Sequence, residues 1–209
     1  MPDGVRVLYA NAAITNGELH AFHARLPDAG NGIALASTSV TGASLGAWRQ
    51  STWLTGFRGH PQYALASLEA SRTFVYALGG YSSGSSGNAT LADGAAARLD
   101  AAGVPGPSFA VAALPKPTSF GQSLAVDDWL FLVGGKEEVL SGKGRGDAFA
   151  AKIGADGTLA PWSALPPLPQ GRTSLALTLA GDFLYVTGGG YDAGGLDTVF
   201  AARVRFPAP

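Results

Sequence analysis

The chain repeats itself, and the repeat is written most plainly in its glycines. The phrases RTFVYALGGY (Arg72 to Tyr81), DWLFLVGGK (Asp128 to Lys136) and GDFLYVTGGGYD (Gly181 to Asp192) each run through a dense apolar segment into adjacent glycines. The doublets Gly79-Gly80, Gly134-Gly135 and Gly188-Gly189 stand 55 and 54 residues apart. A step of about fifty residues is the spacing of propeller blades, small sheets that bury their faces only by stacking on one another. Ahead of each doublet lies an alternating run (Tyr63 to Leu68, Phe120 to Val126, Ser174 to Leu179), then a short polar turn, EASR, DD or GD. Each phrase therefore reads as a β-hairpin.

A third element recurs downstream as FHARL (Phe22 to Leu26), AAARL (Ala95 to Leu99), FAAKI (Phe149 to Ile153) and FAARV (Phe200 to Val204). Period-two alternation sets the Lys or Arg on one face and the apolar neighbours on the other, as in a half-wetted strand. Propensity alone favours helix for LADGAAARLDAAG, but recurrence of the same frame in copies rich in Phe, Val and Ile decides for strand. A fourth element follows a glycine turn and carries an aromatic residue: Trp48, Phe109 or Trp162. The expectation is an all-β chain of about four blades, each of four antiparallel strands. Thirty glycines and thirteen prolines fit many short strands and tight turns, since both residues interrupt helices.

An apolar run, Gly-Gly, a further strand, then Asp-Gly and Trp before a Leu-Pro turn resembles the kelch repeat. The resemblance is greatest to its bacterial form in the segment AKIGADGTLAPWSALPPLPQGRTSLALTLAGDFLYVTGGG (Ala151 to Gly190). It implies a kelch-type β-propeller in which the doublets Gly79-Gly80, Gly134-Gly135 and Gly188-Gly189 are structural, ending the second strand where blades crowd together. That agrees with glycine's freedom to take dihedrals costly for other residues. It also implies ligand recognition by loops that join one blade's fourth strand to the next blade's first. Here these carry Arg58, His60, Lys116, Thr118 and Arg172. The loops between second and third strands, YSSGSSGN, KEEVLSGKGRGD and YDAGG, are the longest and most polar.

The units fall at about 5–56, 57–115, 116–169 and 170–209, together one propeller-like domain or fragment. The order of elements makes the chain open on a second strand, VRVLYANAA, and stop after a third, FAARVRFPAP, so the first and last units are expected to be incomplete. About a dozen extra residues, GNGIALASTSVTGAS, separate the first unit's third strand from Trp48 and read as a loop at a blade edge. Unpaired edges with apolar residues such as Val7, Tyr9, Phe200 and Val204 facing water would favour a homodimer that completes a ring, against a compact four-blade monomer.

Chemistry is thinly represented. With no cysteine, disulfides, thiolate metal sites and a cysteine nucleophile are excluded, and so is the tyrosine–cysteine copper chemistry of kelch-fold galactose oxidases. His20 and His23, three apart in a strand, point to opposite faces and share no metal. Fourteen basic against fifteen acidic residues give no field for nucleic acid or an anionic membrane. No run approaches the roughly 18 apolar residues of a membrane span, and the N-terminus lacks the pattern of an export signal. RGD (Arg145 to Asp147) is short enough to arise by chance, SGKG (Ser141 to Gly144) lacks the upstream glycine and the following Ser or Thr of a phosphate loop, and NAT (Asn88 to Thr90) is a glycosylation acceptor only in a eukaryotic secretory route. No catalytic residue, metal or cofactor is assigned. The reading is a non-catalytic binding or scaffold module for a protein or glycan, the alternative a carbohydrate-active enzyme or lectin with its site at the central channel.

Overall fold

The computed structural model describes residues 10–15, 17–24, 32–55, 58–69, 72–84, 87–139, 143–191 and 194–205. Val7 and Tyr9 lie outside them. Among the described residues every element is a β-strand. None is a helix long and apolar enough to cross a membrane.

Four antiparallel sheets follow one another along the chain. The first holds β1 (Ala10–Thr15), β2 (Glu18–Ala24), β3 (Gly32–Thr41) and β5 (Arg49–Thr55), with the two-residue β4 (Ser44–Leu45) paired to the end of β3. The second runs β6 (Gln62–Glu69), β7 (Arg72–Leu78), β10 (Gly94–Arg98), β11 (Phe109–Val111), with a small hairpin of β8 (Tyr81–Gly84) and β9 (Gly87–Thr90) inserted after the glycine doublet. The third runs β12 (Gln122–Val126), β13 (Trp129–Val133), β14 (Ala148–Lys152), β15 (Ser163–Leu165). The fourth has three strands, β16 (Ala176–Ala180), β17 (Phe183–Thr187) and β20 (Val199–Arg203), with β18 (Gly190–Tyr191) and β19 (Gly194–Gly195) as its inserted hairpin.

The first strands of successive sheets lie side by side, β1 against β6, β6 against β12 and β12 against β16. The sheets thus radiate from a common axis as the four blades of a β-propeller. Among the described residues no contact of comparable extent joins β16 back to β1.

Stacking explains the dense second strands. On β7, Phe74, Tyr76 and Leu78 face blade 3 and join Leu130, Leu132, Phe149 and Ile153, while Val75 and Ala77 face blade 1 and join Phe22, Ile33, Leu35 and Trp53. A strand covered on both sides loses the alternation of a half-wetted one and reads as a continuous apolar run. Phe131 and Val133 turn the other way, toward Leu177, Leu184 and Val186 of blade 4.

Two expectations are corrected. The first unit is not short of a strand: FHARL contributes to its second strand, and the third is built by GIALASTSVT within the segment read as a loop. Ile33 and Leu35 on one face of that strand and Ala34 and Ala36 on the other are all buried, so it forms because both faces are covered. Nor do Phe200 and Val204 face water, since both pack against the cluster between blades 3 and 4. The expected shortage of a strand does hold for the last unit, whose β20 pairs, among the described residues, with β17 alone.

Candidate functional site

The residues singled out in the sequence lie where each blade's first strand begins. There the chain takes the same unusual turn three times. His60, Phe120 and Ser174 have φ of 46°, 59° and 53°, the left-handed region that side chains with a Cβ seldom occupy. The turns are tied from blade to blade, Phe120 N–H donating to His60 O at 3.3 Å and Ser174 N–H to Phe120 O at 2.7 Å. The second glycine of each doublet fits beneath them. Gly80 and Gly135 have φ of 87° and 95°. A Cβ on either would lie 2.7 Å from a carbonyl oxygen, that of Gly59 or Ser119, and no side chain can take that space. Their amides cross to the next blade, Gly80 N–H to Thr118 O at 2.8 Å and Gly135 N–H to Arg172 O at 2.9 Å.

The cations at this end act as clamps. Arg58 Nη1 donates to Gly79 O at 2.5 Å and Nη2 to the Asp93 carboxylate at 2.6 Å. Arg172 repeats the device in blade 4, donating to Gly188 O at 2.9 Å and to Thr198 O and Oγ1 at 3.1 and 2.8 Å. Its guanidinium also lies 4.4 Å from the Phe200 ring centroid. Arg172 is wholly buried, and burial holds its guanidinium below the usual arginine pKa. In blade 3 the corresponding position is Thr118, and Arg145 takes over from the other side. It donates to Pro117 O at 2.9 Å and Thr118 Oγ1 at 2.7 Å and pairs with Asp147 at 3.1 Å. Lys116 donates to the same Asp147 at 2.9 Å. Asp93, Asp147 and Thr198 each immediately precede a third strand, so every clamp joins the doublet's end of the blade to the start of that strand. The charged residues of RGD, Arg145 and Asp147, belong to this set.

What stands beside the clamps is aromatic. His60 stacks on Phe120 at 3.6 Å between ring centroids and on Tyr81 at 5.7 Å, while Tyr81 and Phe120 lie 6.2 Å apart and nearly parallel. Lys136 Nζ sits 4.7 Å from the Phe120 centroid, within cation–π reach. His60 is buried, whereas Tyr81, Phe120 and Lys136 are partly exposed. Burial, reinforced by the neighbouring Lys136 charge, pushes the His60 pKa down to about 4, so the imidazole is neutral at pH 7. The site therefore offers a rigid aromatic surface with one cation at its rim. Among the described residues no three of His, Asp and Glu gather as a metal site. His20, buried in β2, contacts Ser37 Oγ through Nδ1 at 2.9 Å, and burial lowers its pKa as well.

Of the five residues read from sequence, His60 joins the aromatic group, and Arg58, Lys116, Thr118 and Arg172 sit in the clamps around it. Tyr81, Phe120 and Lys136 were not singled out. The signal that identifies them is phase: Phe120 occupies in blade 3 the place of His60 in blade 2, and Lys136 the place of Tyr81, each next to a bridge between the loop and the glycine doublet.

No protein-family model matches the chain, and no curated protein matches it. Among solved structures it is similar to one reported as the structure of YjhT, at 15% sequence identity and a TM-score of 0.66. The match covers 98% of this chain and 68% of that one. At that identity the likeness concerns the fold.

Proposed function

We propose that this chain is a non-catalytic binding or scaffold module built of kelch-like repeats, recognising a protein or a glycan through the loops between its strands. The observation that carries the reading is the group His60, Tyr81 and Phe120 beside Lys136. Aromatic rings locked by stacking and by left-handed backbone offer contact area at little entropic cost, and a cation at the rim adds orientation. In this reading the buried His60 backs the partly exposed rings of Tyr81 and Phe120, and Arg58, Lys116, Thr118 and Arg172 act through the loops they hold. The kelch assignment rests on the recurrent glycine doublets and on Trp162 ahead of Leu-Pro.

Aromatic faces also suit the apolar face of a sugar ring, which keeps a second reading in view: a lectin or carbohydrate-active enzyme at the channel. Arrayed glycans and candidate proteins, probed with the wild type and with Phe120→Ala and Lys136→Ala, separate the two. Specific binding lost in both variants is the expected result. Specific binding indifferent to both would remove the aromatic group from the site, and turnover of a bound sugar would replace the scaffold reading with the enzymatic one.

Ring completion by a second copy belongs to the same proposal. Exposed apolar residues stand at the two ends of the series of blades, Ile14 67% exposed on blade 1 and Phe183 and Val199, 40% and 59%, on blade 4. Light scattering on a size-exclusion column is expected to give a dimer that Phe183→Asp dissociates; a wild-type monomer at micromolar concentration would end this part.

A further inference from the structure

The three clamps follow one plan and differ in charge. In blade 2 the guanidinium of Arg58 meets the carboxylate of Asp93, and in blade 3 Arg145 and Lys116 share that of Asp147. Each aspartate is the residue just before a third strand, β10 or β14. At the corresponding place in blade 4, just before β20, stands Thr198. The entry loop, the doublet and the third strand all belong to blade 4, so this difference is internal to it. Arg172 is wholly buried, yet among the described residues no carboxylate pairs with it. Nη1 donates to the carbonyls of Gly188 and Thr198, Nη2 to Thr198 Oγ1, and the ring of Phe200 lies against the guanidinium. All of these partners are neutral. Nε is buried with no hydrogen-bond partner, whereas in blade 3 Arg145 turns its Nε to Asp147 Oδ2 as an ion pair at 3.1 Å. A buried cation without a counter-charge is the costly half of an ion pair, and an anion brought to it recovers that cost. Thr198 is exposed, and its hydroxyl, accepting from Nη2, keeps a proton to donate.

We propose that the clamp of blade 4 is a binding site for a small oxoanion, which takes the part that Asp93 and Asp147 play in the other two clamps. The anion approaches beside the exposed Thr198. It accepts from the threonine hydroxyl and from the Nη2–Nε edge of Arg172, where two parallel N–H groups match two oxygens of one carboxylate or phosphate. Its charge answers the guanidinium and ties the start of β20 to the glycine doublet, as the ion pairs do in blades 2 and 3. The aromatic group near His60 lies in blades 2 and 3, so neither assignment depends on the other.

The probes are inorganic phosphate and acetate, added to the intact protein at constant ionic strength with chloride as the balancing salt. Calorimetric titration is expected to show saturable binding at one site. The melting temperature should rise by about 3–6 °C when the anion reaches ten times its Kd. The Nε–H resonance of Arg172 should move along the same saturation curve. Thr198→Asp gives blade 4 the carboxylate of the other clamps, so it should melt above the wild type without added anion and respond to neither probe. Thr198→Val, which keeps the shape and removes the hydroxyl, should weaken binding roughly tenfold, as loss of a hydrogen bond to a charged group does. Absence of saturation at tens of millimolar of both anions overturns the proposal. So does an unmoved Arg172 resonance, or a response that Thr198→Asp and Thr198→Val both leave intact, since the anion would then be bound elsewhere.

Discussion

The second strands of blades 3 and 4, WLFLV and FLYVT, are composed alike and buried unlike. In β13, Leu130, Phe131, Leu132 and Val133 are all buried, alternating between two neighbouring blades. In β17, Leu184 and Val186 are buried against blade 3, but Phe183, on the other face, is not. An apolar run without alternation is the composition of a strand covered twice. Blade 4 therefore carries the sequence of an interior blade while, among the described residues, one face of its second strand is covered and no fourth strand stands at its outer edge as in blades 2 and 3. The contrast teaches that composition prepares a strand for two neighbours, while burial follows from the neighbours it has.

Deleting side chains is the strongest way to break that comparison. Leu132→Ala, between blades 2 and 3, should cost about 3 kcal/mol in chemical denaturation, because the close-packed site leaves a cavity. Leu184→Ala, in a strand covered on one face among the described residues, should cost no more than about half of that, since its surroundings can relax into the space. Equal losses would show that blade 4 is packed as tightly as blade 3.

The clamps sharpen the comparison in the opposite direction. Arg172→Ala should lower stability by about 2 kcal/mol, because it strips donors from the carbonyls of Gly188 and Thr198. Arg58→Ala should lose about 1 kcal/mol or less, since its partner Asp93 is 66% exposed and water can replace the guanidinium there. Thermal melts of the two variants decide it, and a larger loss for Arg58→Ala would reverse the ranking. A smaller change, about 1 kcal/mol, is expected for Trp162→Phe, which keeps the ring but leaves Ala112 O without its donor.

The smallest effect is in pH. His60 is held near a pKa of 4 in the folded chain, below the 6.5 of an exposed histidine. Its neutral form is thus favoured by folding, and the associated stability is complete above about pH 6.5 and is lost as pH falls toward 4. Urea midpoints at pH 7 and pH 5 should differ less in His60→Asn than in the wild type. An unchanged difference would assign the acid sensitivity to His20, whose pKa burial also lowers.

Blades 2 to 4 were legible because their phrases repeat in phase, and DWLFLVGGK could be laid over GDFLYVTGGG without a gap. Strand β10 was legible against the helix propensity of AAARL only because FAAKI and FAARV share its frame. Blade 1 was misphased for the same reason: FHARL looks like those third strands, yet a further strand, GIALASTSVT, follows it. Ile33 and Leu35 alternating with Ala34 and Ala36 carried the signal, obscured because small residues on a covered face do not look apolar. The aromatic group was half legible. His60 could be read as lying in the right loop, but its contact with Phe120 joins residues 60 apart, and proximity across blades follows from the sheet stacking rather than from any local pattern. Arg58, Lys116, Thr118 and Arg172 were read as recognition residues of the loops rather than as clamps, because the partners that clamp them, main-chain carbonyls and Asp93, Arg145, Asp147 or Thr198, lie 16 to 35 residues away in sequence.

The bond from Phe120 N–H to His60 O and its counterpart from Ser174 N–H to Phe120 O are one joint, made twice from the same main-chain groups. A joint made by the backbone does not ask which side chains a blade carries. Duplication of one whole unit of 54 or 55 residues would therefore repeat this joint unchanged and leave only the side-chain packing between blades to be matched.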